Sequence, residues 1–98
     1  MDKYQQLIDE WAQTLELPYW KPLSQLARVS EEVGELARIL NHIYGDKPKK
    51  VTEATQELGE EIADVMFALI CIANAHSIDL DHEVALVIEK AKTRDNLR

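Results

Sequence analysis

The sequence predicts an all-α, four-helix, bundle-like fold in which the second and third helices make an antiparallel hairpin. Three observations point there. Only 3 Gly and 3 Pro occur in 98 residues, and the prolines fall at two breaks. No stretch alternates polar with β-branched residues as a half-buried strand does. Apolar residues instead recur at spacings of three and four, the period of a helix with one face inward.

The first helix is expected over residues 2–15, with Tyr4, Leu7, Ile8, Trp11 and Leu15 on one apolar stripe. Leu17-Pro18-Tyr19-Trp20-Lys21-Pro22 ends it. Pro22 suits the first turn of the second helix, where a missing N–H costs nothing. That helix runs to about Tyr44, where Gly45 supplies a stop, and its expected core stripe is Leu26, Val29, Val33, Leu36, Ala37 and Leu40. Lys47-Pro48-Lys49-Lys50 is a basic loop in an acidic chain. Thr52 is the expected N-cap of the third helix, with Glu53 in its first turn. This helix continues to about His76 with Leu58, Ile62, Val65, Met66, Leu69 and Ala73 as its stripe. Residues 65–73 are apolar all round, which predicts burial on every side. Asp79 or Ser77 caps the fourth helix, expected from about Leu80 to Thr93, with a frayed tail from Arg94.

A chain this short makes one domain, residues 1–98, with a modest core that a partner chain often completes. Hydrophobic content of 46% against 30% charged residues places it among globular rather than disordered proteins. A net charge of −7 weighs against nucleic acid or an anionic membrane as partner. The lone Cys71 allows no disulfide within the chain and fits the reducing cytoplasm. Residues 1–4 lack the pattern of a signal peptide. The longest apolar run, 62–75, is broken by Asp64 and Asn74 and is too short to span a bilayer.

Two acidic motifs carry the chemistry, Glu31-Glu32-Val33-Gly34-Glu35 and Glu61-Ile62-Ala63-Asp64. Glu32 and Asp64 each stand 16 positions from Pro48, and Glu35 and Glu61 each stand 13. In an antiparallel hairpin folded at Pro48, residues equidistant from the turn share a height, so four carboxylates converge. A run of acids is ordinarily a solvated face. Here the flank bearing Glu32 and Glu35 continues into Ile39 and Ile43, and that bearing Glu61 and Asp64 into Ala68, Cys71 and Ile72. Asp64 thus opens an apolar stretch, where a carboxylate is costly unless paired or metal-bound. The i, i+3 spacing puts both acids of a helix within reach of one ion. Carboxylate oxygens suit hard cations such as Mg²⁺ and Mn²⁺. Zinc is disfavoured, because His42, His76 and His82 show no paired spacing with Cys71. A di-iron bundle would need Glu-x-x-His, which does not occur.

Glu31-Glu32-x-x-Glu35 followed by Glu61-x-x-Asp64 on consecutive helices resembles the MazG-like group of all-α nucleotide pyrophosphohydrolases. Leu26-Ala27-Arg28-Val29-Ser30, Gly34-Glu35-Leu36-Ala37 and Glu60-Glu61-Ile62-Ala63-Asp64-Val65-Met66-Phe67 extend the match, over roughly residues 18–94. The resemblance implies Mg²⁺-dependent hydrolysis of a nucleoside triphosphate to the monophosphate and pyrophosphate, with Mn²⁺ as a possible substitute. It implies Glu32, Glu35, Glu61 and Asp64 as metal ligands. Glu31 points about 100° away from Glu32; it either orients the attacking water or is simply surface. Lys90 and Arg94, with Lys92 behind them, are the candidate phosphate contacts; they equally suit a helix C-terminus as cations favoured by its dipole.

Trp20, fixed between Pro18 and Pro22, is the candidate for stacking on a nucleobase, ahead of Tyr19 and Trp11, although aromatics in small helical proteins are more often core. Lys47, Lys49 and Lys50 fall about 13 Å along the hairpin from the acids, so they would serve a partner subunit's site. A homodimer or a homotetramer built as a dimer of dimers is expected. Two other readings compete. One is phosphoribosyl-ATP pyrophosphohydrolase, whose Tyr-His near the second motif is missing here. The other is a non-catalytic helical oligomer or adaptor with an acidic surface.

Overall fold

A computed structural model describes residues 2–44 and 51–96. Among them are four α-helices and no strand: α1 (Asp2–Ala12), α2 (Pro22–Tyr44), α3 (Val51–Ala75) and α4 (Leu80–Asn96). The all-α expectation holds. The expected Gly45 stop and the Lys47-Pro48-Lys49-Lys50 loop lie outside the described residues.

Several boundaries differ from the pattern, each for a local reason. α1 ends at Ala12 rather than residue 15, because its last turn tightens: Thr14 N donates to Trp11 O and Leu15 N to Ala12 O, both at 3.0 Å. Pro22 does begin α2, and Gln25 N donates to Lys21 O at 3.0 Å, closing the first turn. α3 starts at Val51, so Thr52 lies inside the helix and not before it. Its end is a Schellman turn with Ser77 at φ 56°, Ile78 N bonded to Ala73 O at 2.9 Å and Ser77 N to Asn74 O at 3.2 Å. Asp79, not Ser77, caps α4: its Oδ1 accepts from His82 N at 3.3 Å. α4 then continues past Thr93 to Asn96, so the expected fraying does not start at Arg94.

α2 and α3 pack along one another, with α1 against α3. Gln25 Nε2 donates to Cys71 O at 3.2 Å, and those two residues each stand 23 positions from Pro48. The mirror register therefore holds two turns beyond the acids.

The inward faces match the expected stripes only in part, at Val29 and Leu36 on α2 and at Leu58, Val65 and Ala73 on α3. On α2 the buried or half-buried line is Gln25, Val29, Glu32, Leu36, Ile39 and Ile43, rotated by about 70° from the expected stripe. Leu26, Val33 and Leu40 are exposed. On α3 one buried or half-buried line is Leu58, Glu61, Val65, Ala68 and Ile72, while Ile62, Met66, Phe67 and Leu69 are exposed. Residues 65–73 are thus not buried on every side within one chain. Nor does the α1 stripe fill the core, since Tyr4, Leu7, Trp11 and Leu15 are exposed while Gln5 and Ala12 are buried. Among the described residues no single helix is long and apolar enough to cross a membrane.

Candidate metal centre

Rotation of both helices brings Glu32 and Glu61 onto the α2–α3 seam instead of beside it. Carboxylate oxygens of Glu32, Glu61 and Asp64 lie within 4.8 Å of one another. Glu32 and Glu61 are half-buried; Asp64 is exposed, against the expectation that it opens a buried stretch. Its place at the rim follows from the helix period, which sets 64 about 60° around α3 from 61 and farther from the centre of the inward line.

Burial first, then the negative charges of Asp64, Glu32 and Glu35 and a hydrogen bond with Glu32, push the Glu61 carboxyl above its ordinary range. Its Oε2 is buried and has no hydrogen-bond partner. An acidic oxygen without a donor, faced by two more carboxylates, fits a hard divalent cation better than any neutral group. The donor set, all oxygen, matches Mg²⁺ or Mn²⁺ in kind.

Glu35 does not join this cluster. Its Oε2 takes Arg38 Nη2 at 2.8 Å and Nε at 3.0 Å, and the pair faces solvent. Glu32 is likewise engaged, since its Oε1 takes Arg28 Nε at 2.9 Å. The two α2 acids are therefore bracketed by two arginines of the same helix. Sequence reading missed both. The signal was present in the spacing, with Arg28 four residues before Glu32 and Arg38 three after Glu35. Glu31 is exposed.

Beside the cluster lies a cavity of about 240 Å³ lined chiefly by Trp11, Leu15, Trp20, Arg28, Phe67 and Cys71. Trp11 and Phe67 meet edge to face, ring centres 5.7 Å apart at 61°. Trp20, 51% exposed, forms its rim. The Tyr19 hydroxyl donates to Asp9 on α1, which pins the break that carries Trp20. Burial, then that bond, pushes the Tyr19 phenol up to about 12, so it stays a donor at neutral pH. Arg28 lines the cavity and bonds the cluster at once, so the two are one continuous site. Lys90 and Arg94 sit on α4, exposed, and among the described residues neither is bonded to the cluster. Lys92 pairs with Glu89 at 3.6 Å.

Known proteins resemble this chain in sequence and fold. The model of the MazG nucleotide pyrophosphohydrolase domain matches residues 21–98. The chain is 44% identical over 98 residues to the protein YpjD of Bacillus subtilis strain 168, covering 100% of this chain and 88% of that one. The crystal structure of YPJD from Bacillus subtilis superposes with a TM-score of 0.82 at 43% identity, over 91% of both chains. A Bacillus-conserved MazG protein, a nucleotide pyrophosphohydrolase, superposes at 0.82 with 37% identity, over 99% of this chain and 94% of its own.

Proposed function

Because this chain belongs to the MazG nucleotide pyrophosphohydrolase family, we propose that it hydrolyses nucleoside or deoxynucleoside triphosphates to the monophosphate and pyrophosphate, with Mg²⁺ as cofactor and Mn²⁺ as substitute. One observation carries the cofactor: the buried, unpartnered Oε2 of Glu61 in a cluster with Glu32 and Asp64. Those three residues hold the cation, and Glu35 joins them by leaving Arg38. When bound, the cation neutralises the triphosphate and polarises its phosphate oxygens. Trp20, with Trp11, holds the base in the aromatic cavity. Glu31 orients a water at the exposed edge of the cluster. Lys90 and Arg94 contact phosphates. α4 bears them on a helix exposed over residues 81–90, which favours delivery within a homodimer or homotetramer. The cytoplasm, with its nucleotide pool, is the compartment this reading requires.

The test is pyrophosphate release from a panel of NTPs and dNTPs with Mg²⁺ or Mn²⁺, phosphoribosyl-ATP included. Absence of turnover with every substrate, by protein that binds the cation, sinks the reading. Asp64→Asn is expected to lower kcat/KM by about 100-fold or more with the helical circular-dichroism signal intact. A calorimetric titration that finds no cation binding would favour the non-catalytic oligomer.

A further inference from the structure

Arg28 stands where the two halves of the site meet. Its Nε is 2.9 Å from Glu32 Oε1, and the same side chain lines the aromatic cavity. The pair is unequal: the Arg28 side chain is 49% exposed and that of Glu32 14%. A cation arriving at Glu32 meets a guanidinium already on that carboxylate. Two positive groups on one carboxylate repel, and the one free to move is the half-exposed arginine. On α3, Phe67 and Cys71 of the cavity lie three and seven residues from Asp64; on α2, Arg28 lies one turn from Glu32. A ligand with its base in the cavity and its phosphates at the acids must pass over Arg28.

We propose that Arg28 is an exchangeable counter-ion: it neutralises Glu32 in the metal-free protein, yields Glu32 to the cation, and then binds the nucleotide between base and metal. The proposal rests on the hydrolase reading above and adds to it a substrate-binding residue that competes with the cofactor. Its signature is two effects of opposite sign. Removing the guanidinium helps the cation and harms the nucleotide. A merely structural arginine would not split them, since loss of helix integrity weakens both.

The experiment compares the parent with Arg28→Met and Arg28→Lys. Calorimetric titration with Mn²⁺ and no nucleotide reads the first effect, and KM at saturating Mg²⁺ reads the second. Arg28→Met is expected to bind Mn²⁺ about threefold tighter and to raise KM for the best nucleotide about tenfold, with a smaller change in kcat. Arg28→Lys keeps a cation in place and is expected to fall between the two. Unchanged or weaker Mn²⁺ binding by Arg28→Met, or an unchanged KM, overturns the proposal and leaves the hydrolase reading standing. If the parent binds no cation, both readings fall.

Discussion

Glu61 faces α2 on the same line as Val65, Ala68 and Ile72, so a carboxylate takes a place that the helix otherwise gives to apolar side chains. Burial and three neighbouring acids hold its carboxyl above the ordinary range. The folded metal-free protein therefore binds more protons there than the unfolded chain does, and its stability falls as pH rises out of the usual Glu range, near 4.3. The penalty is complete once pH exceeds the raised folded value. Glu61→Gln removes it. Scanning calorimetry in chelator is expected to show the variant melting above the parent at neutral pH, with the gap closing below about pH 4. Saturating Mg²⁺ should narrow or reverse that order, because only the parent keeps the full donor set. A gap independent of pH would refute the assignment of strain to Glu61. At this scale the acids were legible in the sequence because their types and spacing are chemical facts. Their counter-ions were legible only as helical spacing, since rotamers decide whether Arg28 and Arg38 reach Glu32 and Glu35.

Between elements, a polar lock sets the course of the chain from α3 into α4. Gln5 on α1 is buried, and its Nε2 donates to Asn74 Oδ1 at 3.0 Å and Ile78 O at 2.8 Å. Its Oε1 accepts from Leu80 N at 2.9 Å, and Asn74 Nδ2 donates back to Gln5 O at 3.0 Å. One side chain thus satisfies the turn that Ser77 makes in a left-handed conformation, and α4 leaves α3 at a bend of 113°. Gln5→Ala leaves Leu80 N and Ile78 O without protein partners, which is expected to cost about 2 kcal/mol. Denaturant midpoints measure it, and a shift worth under about 0.5 kcal/mol would show that water replaces the amide. An apolar-stripe reading of α1 passes over this residue, because a glutamine among Tyr4, Leu7 and Ile8 reads as surface. Its burial depends on the backbone groups that the α3–α4 turn brings to it.

The whole chain is larger than its length requires. Its radius of gyration is 16.4 Å, against about 13 Å for a compact chain of similar length. The excess accompanies apolar surface: Leu26, Val33 and Leu40 on α2, Ile62 and Met66 on α3, and Val84, Val87 and Ile88 on α4 are all exposed. Val84, Val87 and Ile88 share one side of α4 at helical spacing, with Val87 the most exposed at 61%. A surface of this kind calls for a second copy. Light scattering is expected to give a multiple of the 11.2 kDa chain mass. Val87→Asp should reduce that multiple if this exposed side of α4 is where the copies meet, by placing a charge there. An unchanged mass would place the interface elsewhere.

The sequence by itself determined the helices, their order and the height at which the acids meet. Backbone hydrogen bonding fixes the rise per residue, so counting from Pro48 gives the register, and Gln25 meets Cys71 where that count puts it. Only the tertiary structure decided which way each helix turns. Periodicity finds an apolar side but not what covers it. α2 and α3 carry more apolar surface than one chain buries, so the stripes at Leu26, Val33 and Leu40 and at Ile62, Met66 and Leu69 are left outside. The neighbouring faces, with Glu32 and Glu61 on them, turn toward each other. That rotation places the cluster in the seam between the helices, with Asp64 at its rim.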